Sequence, residues 1–423
     1  MTGPDVTSGT LTEVASTRPR PAHTGTLRAA LHARRMLHLK ALLVRVERRR
    51  ARTSSAARRR FERDWGLLER IDADAVRDTV DYPTTGTWLA ETLTAADGPR
   101  FEEHLARLGG LAVAAAVRAG AHVGGTLAVP SGTLVLPGLG VLGVPSGRIR
   151  LSSGAGLLRI DDAGGGSGVA LRRQPGAGVA PAGEPHGWTA LRTLPGGDAV
   201  LDDLDPYRVP PAGIGPQGVP GAERPHSAPE AWARRWQEAR QLLAATDPGR
   251  LAEIAALVRA VVPLEPAGRG AGEPMTATLR AAPGAVLAQF PGDAQELAEC
   301  LVHETHHTKL AVLEGLVPLC RPGAGTLHRV AWRPDPRPVP GVLQGAYAHL
   351  ALADLWWRAR TTGALPPAWR ARAAQQFDRY RDEVGGALSV LRESDELTCA
   401  GRKFVRAMSG HHAGLGSMAH SRE

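Results

Sequence analysis

The chain has 423 residues, no asparagine and only three lysines, Lys40, Lys309 and Lys403. Its three cysteines, Cys300, Cys320 and Cys399, form no CxxC pair, so a disulfide framework and a cysteine-built zinc site are both excluded. Long apolar runs are also missing. Stretches such as 111–117 fall far short of the roughly 20 residues that a membrane span needs, so no membrane partner is expected. Residues 1–24 are polar and rich in Thr, Pro and Gly, with no apolar signal-peptide core; they read as a disordered start, with cytoplasm as the expected compartment.

Lys and Arg number 51 against 42 Asp and Glu, a formal net charge of +9. Such a balance ordinarily raises nucleic-acid binding. Here arginine accompanies an excess of Ala, Gly and Pro, the habit of GC-biased coding, and nucleic acid is not the expected partner. One basic stretch stands out, Arg45 through Arg48-Arg49-Arg50 to Arg58-Arg59-Arg60. It suits either a docking surface for an acidic peptide or a solvated helix face.

The most specific signal is His303-Glu304-Thr305-His306-His307, an H-E-x-x-H string within an apolar segment. On a helix His303 and His307 lie on one face, four residues apart, and both imidazoles can reach one metal ion while Glu304 supplies an adjacent acid or base. Pro291-Gly292 marks a turn, and Asp293 with Glu296 three residues on predicts a capping box that starts a helix at Ala294. The competing reading is a solvated polar run with Thr305 and His306 facing water. Leu310 and Leu313 stand where a metzincin carries Gly and His, so that protease class is excluded. The following helical pattern, 341–360, offers His349 and Asp354; His349 lies among small residues that permit close helix packing and is the candidate third ligand, against the alternative of a satisfied core histidine. Cys300 precedes His303 by three residues and reads as a packing thiol.

The expected fold class is α+β, mainly helical, with an antiparallel β-rich middle and a helical metal-binding C-terminal region. After the start at 1–24, residues 25–120 read as a helical unit that includes one basic helix from Leu27 to Arg60. Residues 121–208 carry short alternating runs, 126–129, 133–136, 148–151, 157–160, 169–172 and 188–194, punctuated by Gly- and Pro-rich turns. Asp203 and Asp205 in this region suit a metal pair or turn and cap duties. A Pro/Gly-rich connection over 209–229 leads to 230–423, with helices expected over 230–245 and 250–261 ahead of the motif helix. The string Trp332-Arg333-Pro334-Asp335-Pro336-Arg337-Pro338 then predicts a stiff extended segment presenting Arg333 and Arg337. A rigid guanidinium near a metal suits a bidentate carboxylate co-substrate; closing a loop is the equal alternative.

Leu301-Val302-His303-Glu304-Thr305-His306-His307, the Trp332–Pro338 string and Gly341-Val342-Leu343-Gln344-Gly345-Ala346-Tyr347-Ala348-His349 together resemble the HExxH-motif peptide-modification family, described as α-ketoglutarate-dependent HExxH-type peptide β-hydroxylases of ribosomally made peptide pathways. Trp65-Gly66-Leu67-Leu68, Tyr82-Pro83-Thr84-Thr85-Gly86-Thr87-Trp88, Leu136-Pro137-Gly138-Leu139-Gly140, Asp203-Leu204-Asp205-Pro206-Tyr207-Arg208 and Leu397-Thr398-Cys399-Ala400-Gly401-Arg402-Lys403 extend the likeness over most of the chain. The resemblance implies Fe(II), α-ketoglutarate and O2 where the bare motif suggests Zn(II) and hydrolysis. It implies iron on His303, His307 and His349, the co-substrate carboxylate on Arg337 or Arg333, and a precursor peptide as substrate, with other maturation enzymes of the same gene cluster as further partners. Glu304 is the general base in a hydrolase; in an oxygenase it orients a ligand, binds water or joins the metal. Three expectations follow: an iron- and α-ketoglutarate-dependent peptide β-hydroxylase, a zinc metallopeptidase trimming a precursor peptide, and a non-catalytic adaptor docking peptide through Arg45–Arg60.

Overall fold

The computed structural model describes residues 8–174, 178–197, 199–266, 274–322, 325–362 and 365–416. The fold is α+β, predominantly helical, as the sequence predicts. Six helices open it: α1 (Ser8–Ala15), α2 (Pro21–Arg48), α3 (Ser55–Glu69), α4 (Ala73–Val80), α5 (Pro83–Thr94) and α6 (Pro99–Ala119). Proline in the first turn starts α2, α5 and α6, where its missing N–H costs nothing. Gly120 at φ 63° ends α6 in the left-handed region, the conformation glycine adopts most readily.

Two expectations for this unit are corrected. The disordered start predicted for 1–24 is helical over Ser8–Ala15, and α2 begins at Pro21; residues 1–7 lie outside the described residues. Leu11, Val14 and Ala15 are buried, and Tyr347 Oη donates to the Val14 carbonyl at 2.8 Å, so tertiary contacts hold a helix too short to stand alone. The single helix expected from Leu27 to Arg60 is two. It breaks after Arg48, and Ser54 Oγ caps α3 by accepting from the Ala57 N–H at 3.2 Å.

The middle region holds β1 (Gly125–Ala128), β2 (Thr133–Leu136), β3 (Gly140–Gly143), β4 (Arg148–Gly154), β5 (Leu157–Asp162), β6 (Gly168–Arg173), β7 (Val179–Pro181), β8 (Trp188–Ala190), β9 (Arg192–Thr193) and β10 (Val200–Leu201). One antiparallel sheet has the order β1-β4-β5-β6-β7 and a second β2-β3-β8. Alternate residues Ile149 and Leu151, Leu158 and Ile160, Val169 and Leu171 turn inward and share a core with Leu108, Leu111 and other residues of α6.

The third sheet departs from the expected layout. β11 (Ala260–Pro263), β12 (Thr276–Ala277) and β13 (Ala285–Ala288) join β10 and β9 in the order β12-β13-β11-β10-β9, with β10–β11 and β11–β13 parallel. This sheet crosses the boundary at 208 and places strands at 260–288, ahead of the motif helix, where only helices are expected. The helix expected over 250–261 ends earlier, and Val261 belongs to β11. Every residue of β11 and β13 is buried, so neither shows the alternation that marks a half-exposed strand.

The remaining elements are α7 (Pro229–Thr246), α8 (Pro248–Leu257), α9 (Ala294–Glu314), β14 (Leu327–Val330), β15 (Arg333–Pro338), α10 (Val339–Thr361), α11 (Pro367–Glu393) and α12 (Cys399–Gly414). The largest core joins α7, α9, α10, α11 and α12 through residues including Trp236, Leu301, Leu350, Trp356, Phe377 and Phe404. Among the described residues no helix is long and apolar enough to cross a membrane.

Candidate metal centre

Helix α9 starts as its sequence predicts: Asp293 Oδ1 accepts from the Glu296 N–H at 2.8 Å, and Glu296 Oε2 accepts from the Gly292 N–H at 2.7 Å. The reading in which Thr305 and His306 face water is overturned, since both are fully buried. His306 Nδ1 lies 2.8 Å from the Val302 carbonyl and donates to it, which leaves Nε2 to accept from Arg250 Nη1 at 3.4 Å. Around it, Lys309 Nζ donates to Glu253 Oε1 at 2.8 Å, and Arg250 Nη2 to Asp354 Oδ2 at 2.8 Å. An ionic layer therefore backs α9, and Asp354 belongs to it.

The opposite face carries His303 and His307, whose Nε2 atoms are 2.9 Å apart. Two nitrogens bound at right angles to one ion, each at about 2.0–2.1 Å, would stand about 2.9 Å apart. His349 on α10 approaches with its ring centroid 5.4 Å from that of His303. Its Nδ1 donates to Glu383 Oε2 at 3.0 Å, so Nε2 is the nitrogen left to face a metal. Burial works to raise Glu383, but the hydrogen bond and charge of His349, with Arg379, outweigh it and hold the carboxyl below its ordinary value. Burial drives His303 well below the usual imidazole range, reinforced by His307 and His349, and burial likewise lowers His307. Neutral imidazoles are the form that binds metal. Among the described residues no three His, Cys, Asp or Glu side chains close around one point.

Trp332 packs against His349 with centroids 4.6 Å apart and ring planes inclined at 54°. It can do so because Gly345 has no side chain: a Cβ there would stand 2.5 Å from Trp332 Cζ2. The small residues of α10 thus admit the indole as well as the neighbouring helices.

Glu304 is buried and held from β12 and the residues after it. Its Oε1 accepts from Thr276 Oγ1 at 2.6 Å and its Oε2 from Thr278 Oγ1 at 2.7 Å. A cavity of about 300 Å³ opens beside the histidines, lined by His303, His349, Trp332, Glu299, Cys300, Tyr380, Arg372, Gln376 and Arg379. Glu304 does not line it. Burial pushes the Glu299 carboxyl up to about 7 against the pull of Arg372, and Tyr380 Oη donates to Glu299 Oε2 at 3.2 Å. Burial, then the Glu304 and Glu299 carboxylates, raise the Cys300 thiol well above its ordinary value. The thiol lines the cavity in its protonated form.

Arg333 and Arg337 do not reach this cavity. β15 pairs with β14 as a hairpin and turns both toward Asp335, at 3.1 Å and 3.4 Å, on an exposed surface. The guanidinium groups at the cavity are Arg372 and Arg379 of α11. With Gln376, Tyr380 and Glu383 they form one polar stripe at helical spacing, a signal present in the sequence and missed. Asp203 and Asp205 serve the fold: Asp203 Oδ1 takes Arg224 at 2.6 Å and Oδ2 takes Ser227, while Asp205 pairs with Arg107 and accepts from Thr84 Oγ1 at 2.6 Å. The basic stretch that starts in the last turn of α2 is partly used internally, with Arg45, Arg49 and Arg52 converging on Asp97.

Compared with models of known protein families, the chain matches none, and no curated protein is significantly similar to it.

Proposed function

We propose that this protein is an Fe(II)- and α-ketoglutarate-dependent enzyme that hydroxylates a β-carbon in a ribosomally made precursor peptide, with His303, His307 and His349 holding the metal. The paired Nε2 atoms of His303 and His307 and the Glu383-anchored ring of His349 fit a three-nitrogen site with positions left open. When bound, iron with α-ketoglutarate and dioxygen supplies the oxidising power to place one oxygen atom in a C–H bond.

The observation that carries this reading over a zinc metallopeptidase is the state of Glu304. A peptidase base has to reach water on the metal. Here both carboxylate oxygens accept threonine hydroxyls. Glu304 is then a positioning residue that ties α9 to the third sheet. Arg372 is the side chain suited to the co-substrate carboxylate: it stands 3.5 Å from Glu299 at the cavity and 3.6 Å from Asp293, its Nη1 bonds Gln295 Oε1 at 3.3 Å, and its Nε is buried with no hydrogen-bond partner among the described residues. Trp332 covers His349 on one side and limits water there.

The test is anaerobic loading with Fe(II), followed by α-ketoglutarate, oxygen and a co-expressed precursor peptide. Succinate release with a peptide heavier by one oxygen atom is expected, and His303→Ala abolishes both. Peptide cleavage restored by Zn(II) without α-ketoglutarate or oxygen would instead establish the peptidase.

A further inference from the structure

A second cavity, of about 520 Å³, shares no lining residue with the first. Its charged lining is Arg28 of α2, Arg118 of α6, Arg259 ahead of β11, and Asp78. Three guanidinium groups thus face one carboxylate. Arg118 is mostly buried, yet its Nη1 donates to Thr79 Oγ1 at 3.1 Å and its Nη2 to the Pro137 carbonyl at 2.7 Å, both neutral acceptors. Burial, and then Arg259, pull its pKa down to about 10. Asp78 Oδ1 stands 3.9 Å from Arg259 Nη1, and exposed Arg28 has no ion-pair partner among the described residues. A buried cation without a close counter-ion is costly, and an anionic ligand would relieve that cost.

The walls indicate what kind of anion. Val179 and Pro181 of β7, Trp188 and Ala190 of β8 and Thr193 of β9 all line the cavity. Each of these strands is the terminal strand of its own sheet. Edge strands carry main-chain groups without a strand partner on one side, the feature by which an extended peptide adds to a sheet. The Ala190 carbonyl accepts from Arg224 at 2.7 Å, so the β8 edge is partly occupied. Trp188 Nε1 is also buried with no hydrogen-bond partner among the described residues. A small phosphate or nucleotide would satisfy the arginines but leave the edges unused.

We propose that this cavity binds an extended acidic peptide segment, its carboxylates on Arg28, Arg118 and Arg259 and its main chain added to one of the three strand edges. The site is separate from the metal centre and needs neither metal nor turnover, so its test succeeds or fails independently of the hydroxylase reading.

The probe is a short fluorescein-labelled peptide of alternating glutamate and valine, titrated into the full chain and followed by anisotropy. Saturable binding that weakens with salt is expected. Arg28→Glu with Arg259→Glu, both partly exposed positions, should weaken it about tenfold or more, with circular dichroism reporting an unchanged fold. A version N-methylated at alternate amides keeps every charge and should lose binding, a comparison that requires no protein variant. Equal binding by a lysine–valine peptide, by the methylated peptide or by the double variant would overturn the proposal. So would full displacement by inorganic phosphate or ATP at concentrations similar to the peptide's.

Discussion

His349 Nδ1 donates to Glu383 Oε2 across 3.0 Å, from α10 to α11, and this contact decides which nitrogen of the ring is left for a metal. Glu383→Ala removes the acceptor and should lower Fe(II) affinity about 10–100-fold, as loss of an outer-shell partner does. Glu383→Gln keeps an oxygen acceptor and should cost much less. Metal titration against a competing chelator measures both; equal affinity in all three proteins would show that the contact does not orient the ligand.

Gly345 makes room for Trp332, and Trp332 lies against His349. Gly345→Ala places a methyl 2.5 Å from the indole carbon Cζ2, so the ring has to move off. Tryptophan emission should shift to the red, with weaker metal binding, although alanine is otherwise the better helix former by about 1 kcal/mol. Unchanged emission and affinity would mean that the ring relaxes without leaving the histidine.

Lys309 and Glu253 form a buried pair, at 1% and 2% side-chain exposure, behind the metal face. Lys309→Met strands the carboxylate and should cost about 3–5 kcal/mol. Adding Glu253→Gln should recover part of that loss, because no charge then stays buried alone. Urea unfolding of the two variants tests this, and a double variant no more stable than the single would contradict it.

Burial, and then Asp205, push the Asp202 carboxyl up to about 6 from 3.8. The folded chain therefore holds this proton more tightly than the unfolded chain. Between these values the native state binds more proton than the unfolded state, so the stability contributed by this group falls as pH rises from 3.8 to about 6 and its cost is fully present above that. Asp202→Asn keeps an acceptor for the Leu204 and Asp205 N–H groups and cannot ionise. Its stability relative to the parent should climb with pH across this window, and a pH-independent difference in unfolding midpoints would count against the assignment.

Arg372 lines the metal cavity, whereas Arg333 and Arg337 lie outside it on Asp335. Arg372→Ala should raise the α-ketoglutarate concentration for half-maximal turnover about tenfold or more, and Arg333→Ala with Arg337→Ala should leave it unchanged. The reverse pattern in succinate-release kinetics would return the co-substrate to the hairpin.

The start of α9, its two histidines and the α+β class could be read directly, because a capping box, helical spacing and turn residues act locally. His349 was legible as a histidine among small residues. Arg372, Tyr380 and Glu383 show a helical stripe in the sequence but not its use, because their meaning depends on α11 packing along α10 so that Tyr380 and Arg372 reach Glu299 of α9. β11 and β13 were missed because burial on both faces erases alternation. The arginines of β15 misled for a related reason: the proline string does form an extended strand, but pairing with β14 decides where its side chains point.

The burial of α9 on both faces also divides the site by rate of opening. Glu304, Thr305 and His306 are each at 1% exposure or less, so main-chain amides in this part of the helix meet deuterium only when the core itself opens. The hairpin beside it, exposed from Arg333 to Pro336, exchanges through local fluctuation. His303 and His307 are thus expected to ride on a slowly exchanging segment and Trp332 on a faster one. Exchange in the hairpin is then expected to respond to what enters or leaves the cavity, while the helix holds the two histidines in place.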